Sequence, residues 1–267
     1  MFTLRQYLLA LLDSRGLTRT LGEIDVCRDE QGRPCFSAGN SAAVFRIRLG
    51  GRIRSLRCYL RPMRHLKEIY GQRLLEKELY LHTSPETGVW VDTVLGDWIE
   101  GSTLHETVAQ AAALRDRESL QILVRLFDRL ALALVTDNRA HGDLKPENII
   151  VGDDGTLCPI DFDASYLPAF AGEISPELGT AAYQHPARTA ADFDERIDDY
   201  PAALISTALH ALAEDPTLWD RYGSSDGLLY TPQRIASDPA YRETLALFEK
   251  RGMAVQYRIA QLLTAPT

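Results

Sequence analysis

A chain of 267 residues, 45% hydrophobic and 25% charged, is long enough to bury a substantial apolar core, and its composition is that of a globular protein rather than a disordered one. The formal charge of −8 provides no overall basic field for phosphate backbones or anionic lipid, so neither nucleic acid nor a membrane is an expected partner. Four cysteines, Cys27, Cys35, Cys58 and Cys158, occur without a C-x-x-C pair and beside only six histidines, which argues against a zinc site or a disulfide framework and for reduced thiols in a cytoplasmic protein.

The opening "MFTLRQYLLALLDSRG" has an apolar face at helical spacing, bracketed by Arg5 and Asp13, and is too short for a membrane span. It predicts an N-terminal helix packed on the domain, and no later stretch is long and apolar enough to cross a bilayer. Between residues 23 and 59, the runs "EIDVC", "CFSAG", "AAVFRIRL" and "RIRSLRCYL" are broken by "RDEQGRP" and "GG". Short alternating runs joined by a Gly-Gly pair predict consecutive antiparallel strands. The basic tract over residues 45–67 reads as the solvated face of two strands, with a local site for anionic phosphates as the functional alternative. Pro62 opens "PMRHLKEIYGQRLL", a predicted helix with proline in its first turn. A further strand pair, "ELYLH" and "GVWVDTVLGDWI", follows across "TSPET".

After Gly101 the period changes. "TLHETVAQAAAL" and "ESLQILVRLFDRLALALVTDN" carry apolar residues at three- and four-residue spacing and predict helices. "NIIVGDDGTLCPIDF" interrupts them as a hairpin, and helices resume in "DERIDDYPAALISTALHALAED" and "DPAYRETLALFEKRGMAVQYRIAQLL". Between these last two, "LWDRYGSSDGLLYTPQRIASDP" reads as loop-rich, and no motif is legible after Leu204. The expected organisation is therefore α+β: residues 1–101 as a sheet-rich part with one main helix, residues 102–267 as a helix-rich part.

The chemistry concentrates in "HGDLKPENII", residues 141–150, and in "DFD", which begins at Asp161. A hairpin between them brings its two ends together, so Asn148 and Asp161 face each other at its mouth. Two oxygen ligands there suit magnesium, a hard cation that takes carboxylate and amide oxygens along with nucleotide phosphates.

"HGDLKPENII" followed by "IDFDA" resembles the catalytic and metal-binding loops of the protein-kinase superfamily, H-R-D-L-x-x-x-N and D-F-G, in a bacterial Ser/Thr-protein-kinase-like form with H-G-D. The resemblance implies a bilobal fold that uses ATP with Mg2+, or Mn2+ in its place. It implies Asp143 as the base that orients the attacking hydroxyl, Lys145 as the cation beside it, and Asn148 and Asp161 as metal ligands. "GTAAYQHPA", residues 179–187, looks like the end of an activation segment, and Asp198 in "DDYPAALISTAL" occupies the position that hydrogen-bonds back to the catalytic loop.

Upstream the pattern is thinner. "SAGNSAAV" aligns with the glycine-rich loop through Gly39 and Val44, Val44 then packing on the adenine; a plain hairpin turn explains the same residues. "SLRCYL" places Arg57 where the phosphate-contacting lysine stands, with Glu68 as its partner on the following helix and Glu76 as the alternative. Gly142 replaces the arginine of H-R-D, so control by activation-loop phosphorylation is not expected, and Asp163 replaces the glycine of D-F-G. The expected substrate is a protein Ser/Thr hydroxyl. The alternatives are a small hydroxylated molecule, as for aminoglycoside and choline kinases, or no transfer at all in a nucleotide-binding pseudokinase.

Overall fold

In the computed structural model, which describes residues 1–265, the chain divides into two compact units, Met1–Trp98 and Ile99–Thr267. The first opens with helix α1 (Leu4–Leu12), where Thr3 and Gln6 form a reciprocal capping box that satisfies orphan N–H groups. Strands β1 (Asp25–Val26), β2 (Phe36–Ala38), β3 (Ala42–Leu49) and β4 (Arg52–Tyr59) follow, then helix α2 (Leu66–Tyr70) and strands β5 (Leu74–His82) and β6 (Gly88–Asp97). All pairings are antiparallel, in the order β1-β3-β4-β6-β5, with β2 also on the β3 edge.

Strand alternation decides which face is covered. Phe45, Ile47 and Leu56, fully buried, lie in one cluster with Tyr7, Ala10 and Leu11 of α1. Each such side chain contributes roughly 1.5–3 kcal/mol. On the other face stand Val44, Arg46 and Arg57, with Val44 and Arg57 directly opposed across β3 and β4. The buried Glu78 closes the unit: its carboxylate accepts the N–H groups of Arg19, Thr20 and Leu21 and the Thr20 hydroxyl.

The helix predicted from Pro62 shrinks to the five residues of α2 and a 3-10 turn at Gly71–Arg73. Leu74 and Leu75, which fit its helical spacing, pair instead with Val94 and Thr93, so strand pairing captures the end of the segment. The main helix of this unit is therefore α1.

The second unit begins with strand β7 (Gly101–Thr103), which leads into α3 (Leu104–Ala113) and α4 (Arg117–Thr136). The predicted hairpin forms as β8 (Ile149–Gly152) and β9 (Leu157–Pro159), and β7 adds to it in the order β7-β8-β9. Helices α5 (Asp199–Glu214), α6 (Leu218–Tyr222), α7 (Pro239–Arg251) and α8 (Ala254–Leu262) complete the chain. The single helix expected at the C-terminus is broken at Gly252, whose φ of 68° ends α7. Leu120, Phe127, Ile205, Leu209, Leu212 and Phe248 are in the core of this unit. The α4–α5 contact is also tied by Asp128, which accepts from Ser206 Oγ at 3.0 Å and lies 3.0 Å from His210 Nε2.

Candidate active site

Hairpin β8–β9 brings the two halves of the motif together. Ile149 pairs with Pro159, and the Ile160 N–H donates to the Asn148 carbonyl at 2.9 Å, which places Asp161 one residue beyond the partner of Asn148. The Asn148 side chain is buried and turned toward Asp143, its Nδ2 donating to the Asp143 carbonyl at 2.9 Å and to Oδ2 at 3.1 Å. With the amide nitrogen committed, the carboxamide oxygen remains as the acceptor.

Asp143 is held from both of its oxygens. Oδ1 accepts the Thr180 N–H at 2.5 Å, while Oδ2 receives Asn148 and lies 3.5 Å from Lys145 Nζ. Lys145 Nζ in turn donates to Thr180 Oγ1 at 2.9 Å. Asp143, Lys145, Asn148 and Thr180 thus form one hydrogen-bonded group in which the carboxylate orientation is over-determined.

The loop beneath is fixed by buried polar groups. Asp198, 1% exposed, accepts the backbone N–H groups of His141 and Gly142. His141 Nδ1 accepts the Asp143 N–H at 3.3 Å, so its proton sits on Nε2, which donates to the Ile160 carbonyl at 2.7 Å. One imidazole thereby joins the catalytic-type loop to the residue before Asp161. Ala140 and Tyr166 exchange two backbone hydrogen bonds, closing the far side.

Gly142 has φ of 81°, and a Cβ there would come within 2.0 Å of the Ala164 carbonyl oxygen. No side chain fits, which is why the position that holds arginine in H-R-D is glycine here. A cation nevertheless reaches this point: Arg188 Nη1 donates to the Gly142 carbonyl at 3.2 Å and also to Gln184 Oε1. Burial pushes the Arg188 guanidinium below its ordinary pKa, against the opposing pull of Asp198 and Asp143.

The remaining expected residues lie in the first unit. Val44 and Arg57 share a sheet face, and the Arg57 guanidinium sits 5.8 Å from the centre of the Tyr59 ring. Gly39 is in the β2–β3 turn, where its N–H donates to the Ala42 carbonyl at 2.9 Å. Glu68 is exposed on the single turn of α2, and Glu76 pairs instead with Lys67 at 3.7 Å. Asp163 is buried at 4% exposure beside Ala164. Among the described residues, no group of three or more His, Cys, Asp or Glu side chains is placed to hold a metal ion.

Comparison with known proteins finds protein kinases. No family model matches the chain. CBL-interacting protein kinase 17 of Oryza sativa subsp. japonica is 28% identical over 171 residues, 61% of this chain and 35% of the relative. Serine/threonine-protein kinase PknL of Mycobacterium tuberculosis is 34% identical over 113 residues, 40% of this chain and 27% of the relative. The liver/testis isoform of the phosphorylase b kinase gamma catalytic chain of Mus musculus is 27% identical over 175 residues, 62% and 41% respectively. Over the matched residues the chain is thus similar to these kinases, at modest identity.

Its matches span 27%, 35% and 41% of these kinases' own lengths, so the likeness covers a part of each. Two residues that bond to the loop around Asp143, Thr180 and Arg188, are less legible in the sequence. Thr180, 37 positions from Asp143, lies within "GTAAYQHPA", and that string is its signal. Arg188 follows the string and carries no signal of its own.

Proposed function

We propose that this chain is a member of the protein-kinase superfamily and an ATP- and magnesium-dependent phosphotransferase acting on Ser/Thr hydroxyls of proteins. The observation that carries the reading is the shared network of Asp143, Lys145, Asn148 and Thr180. In it Asp143 orients the acceptor hydroxyl and takes its proton as the oxygen attacks the γ-phosphorus and ADP departs. Lys145, held 3.5 Å from that carboxylate, offsets charge on the transferring group.

The donor set fits a hard divalent cation: Asn148 has its carboxamide oxygen left over, and Asp161 adds a carboxylate just past its cross-strand neighbour. Two protein oxygens plus nucleotide phosphates make an ordinary magnesium site, for which no three-acid cluster is needed. When bound, Mg2+ or Mn2+ neutralises phosphate charge. Arg57 is assigned to the phosphates, Val44 to the adenine and Gly39 to the glycine-loop turn; the common face of Val44 and Arg57 supports the first two. Because Gly142 excludes a side chain, the loop lacks the arginine of H-R-D, which supports activity without activation-loop phosphorylation.

One observation favours the pseudokinase reading: Glu68, the intended partner of Arg57, stands exposed on a single helical turn. The test is incubation with magnesium and γ-labelled ATP. Wild type is expected to label itself or a generic basic protein, and Asp143→Ala to abolish the label. Transfer confined to small hydroxyl compounds would favour a small-molecule kinase; thermal stabilisation by ATP and magnesium without any transfer would favour a pseudokinase.

A further inference from the structure

The edge of the first sheet contains an excursion that its function does not explain. Along β3, Val26 pairs with Ile47 and Phe36 pairs with Phe45, so the chain leaves the edge after β1 and returns to it at β2. Between them Arg46 is the shared anchor: its carbonyl accepts the Cys27 N–H at 2.9 Å, and its own N–H donates to the Cys35 carbonyl at 3.0 Å. The excursion, residues 28–34, is itself a hairpin, with Arg28 bridged to Pro34 and the Asp29 N–H donating to the Arg33 carbonyl at 2.9 Å.

Cys27 and Cys35 therefore stand opposite each other at the neck of this hairpin, joined by a Cys35 N–H to Cys27 carbonyl bond of 2.8 Å. Alternation settles where their side chains lie. Val26 and Phe36 share the face of Ile47 and Phe45, so the neighbouring Cys27 and Cys35 both fall on the other face. The bond between their backbones makes them a hydrogen-bonded antiparallel pair, whose Cα atoms stand about 5.5 Å apart. A disulfide accepts about 4.4–6.8 Å. Both thiols are free and half-buried, within reach of a small oxidant, whereas Cys58 is fully buried in the core and Cys158 is opposed by Ile150.

We propose that Cys27 and Cys35 are a modification site: a dithiol that a peroxide converts to an intramolecular disulfide, the neck drawing in to bring the two Cβ atoms to the roughly 3.5–4.5 Å that the bond requires. One thiolate attacks hydrogen peroxide, breaking the O–O bond to give a sulfenic acid and, after protonation, water. The second thiol attacks that sulfur, the S–S bond forms, and a second water leaves. The two cysteines lose two protons and two electrons in all, and the peroxide takes them up as it becomes two waters. The bond clamps the neck from which β2 runs directly into the Gly39 turn.

The test uses the whole chain and does not depend on kinase activity. Treatment with hydrogen peroxide, followed by denaturing alkylation, is expected to lower the free-thiol count from four to two. A digest cutting after Arg28 should leave the flanking peptides joined until reduction. C27S and C35S should each abolish the cross-link, and C158S should leave it intact. The proposal is overturned if the thiol count stays at four, if thiols are lost equally in C27S and C35S, or if oxygen is gained without a cross-link.

Discussion

Two glycines, each standing in a motif position, sit in opposite situations. Gly142 adopts a backbone that side-chain-bearing residues rarely hold, and an added Cβ would strike the Ala164 carbonyl. Gly39 occupies a strand turn with ordinary φ, where a Cβ would meet nothing closer than Ala42 O at 3.9 Å. The contrast extends to their surroundings. Around Gly142, buried Asp198 and His141 and half-buried Arg188 all bond to the loop, whereas the Gly39 turn is held by backbone pairing that many small residues satisfy. Motif residues are thus most constrained where side chains and backbone specify them together, and the pattern thins where pairing alone suffices.

Four substitutions can sharpen or break this contrast. The largest effect is expected for Asp143→Asn, which keeps an acceptor for Thr180 but cannot take a proton: phosphoryl transfer should fall about 10²–10⁴-fold with little change in melting temperature. Gly142→Ala should destabilise by about 3 kcal/mol in urea unfolding, through strain and collision together. Arg57→Met should raise the KM for ATP about tenfold, the worth of one charge-assisted hydrogen bond. Gly39→Ala should shift stability by less than about 0.5 kcal/mol. If Gly39→Ala proved as damaging as Gly142→Ala, the turn would carry a constraint that its geometry does not reveal.

The same contrast explains what could be read in advance. Asp143, Lys145 and Asn148 lie within a few residues of each other and Asp161 across one short hairpin, so local spacing conveys their convergence. Thr180 and Arg188 join the group from 37 and 46 residues away, a closure that only tertiary folding makes. In the first unit, the helix expected over residues 62–75 failed because Leu74 and Leu75 suit either period, and β6 was available to pair with them. Strand β7 has three residues, too few to show alternation, and owes its existence to β8. The Gly252 break leaves no trace in the apolar spacing, which is helical on either side of it.

The most direct test of the central claim, that Asn148 and Asp161 hold a metal for transfer oriented by Asp143, is a magnesium titration of phosphoryl transfer from labelled ATP. Wild type and Asn148→Ala would be compared, each with an EDTA control. The account predicts no transfer in EDTA, activity restored by Mg2+ in the wild type, and a higher half-saturating magnesium concentration for the variant. Undiminished transfer in EDTA, or superimposable magnesium curves for the two proteins, would contradict it.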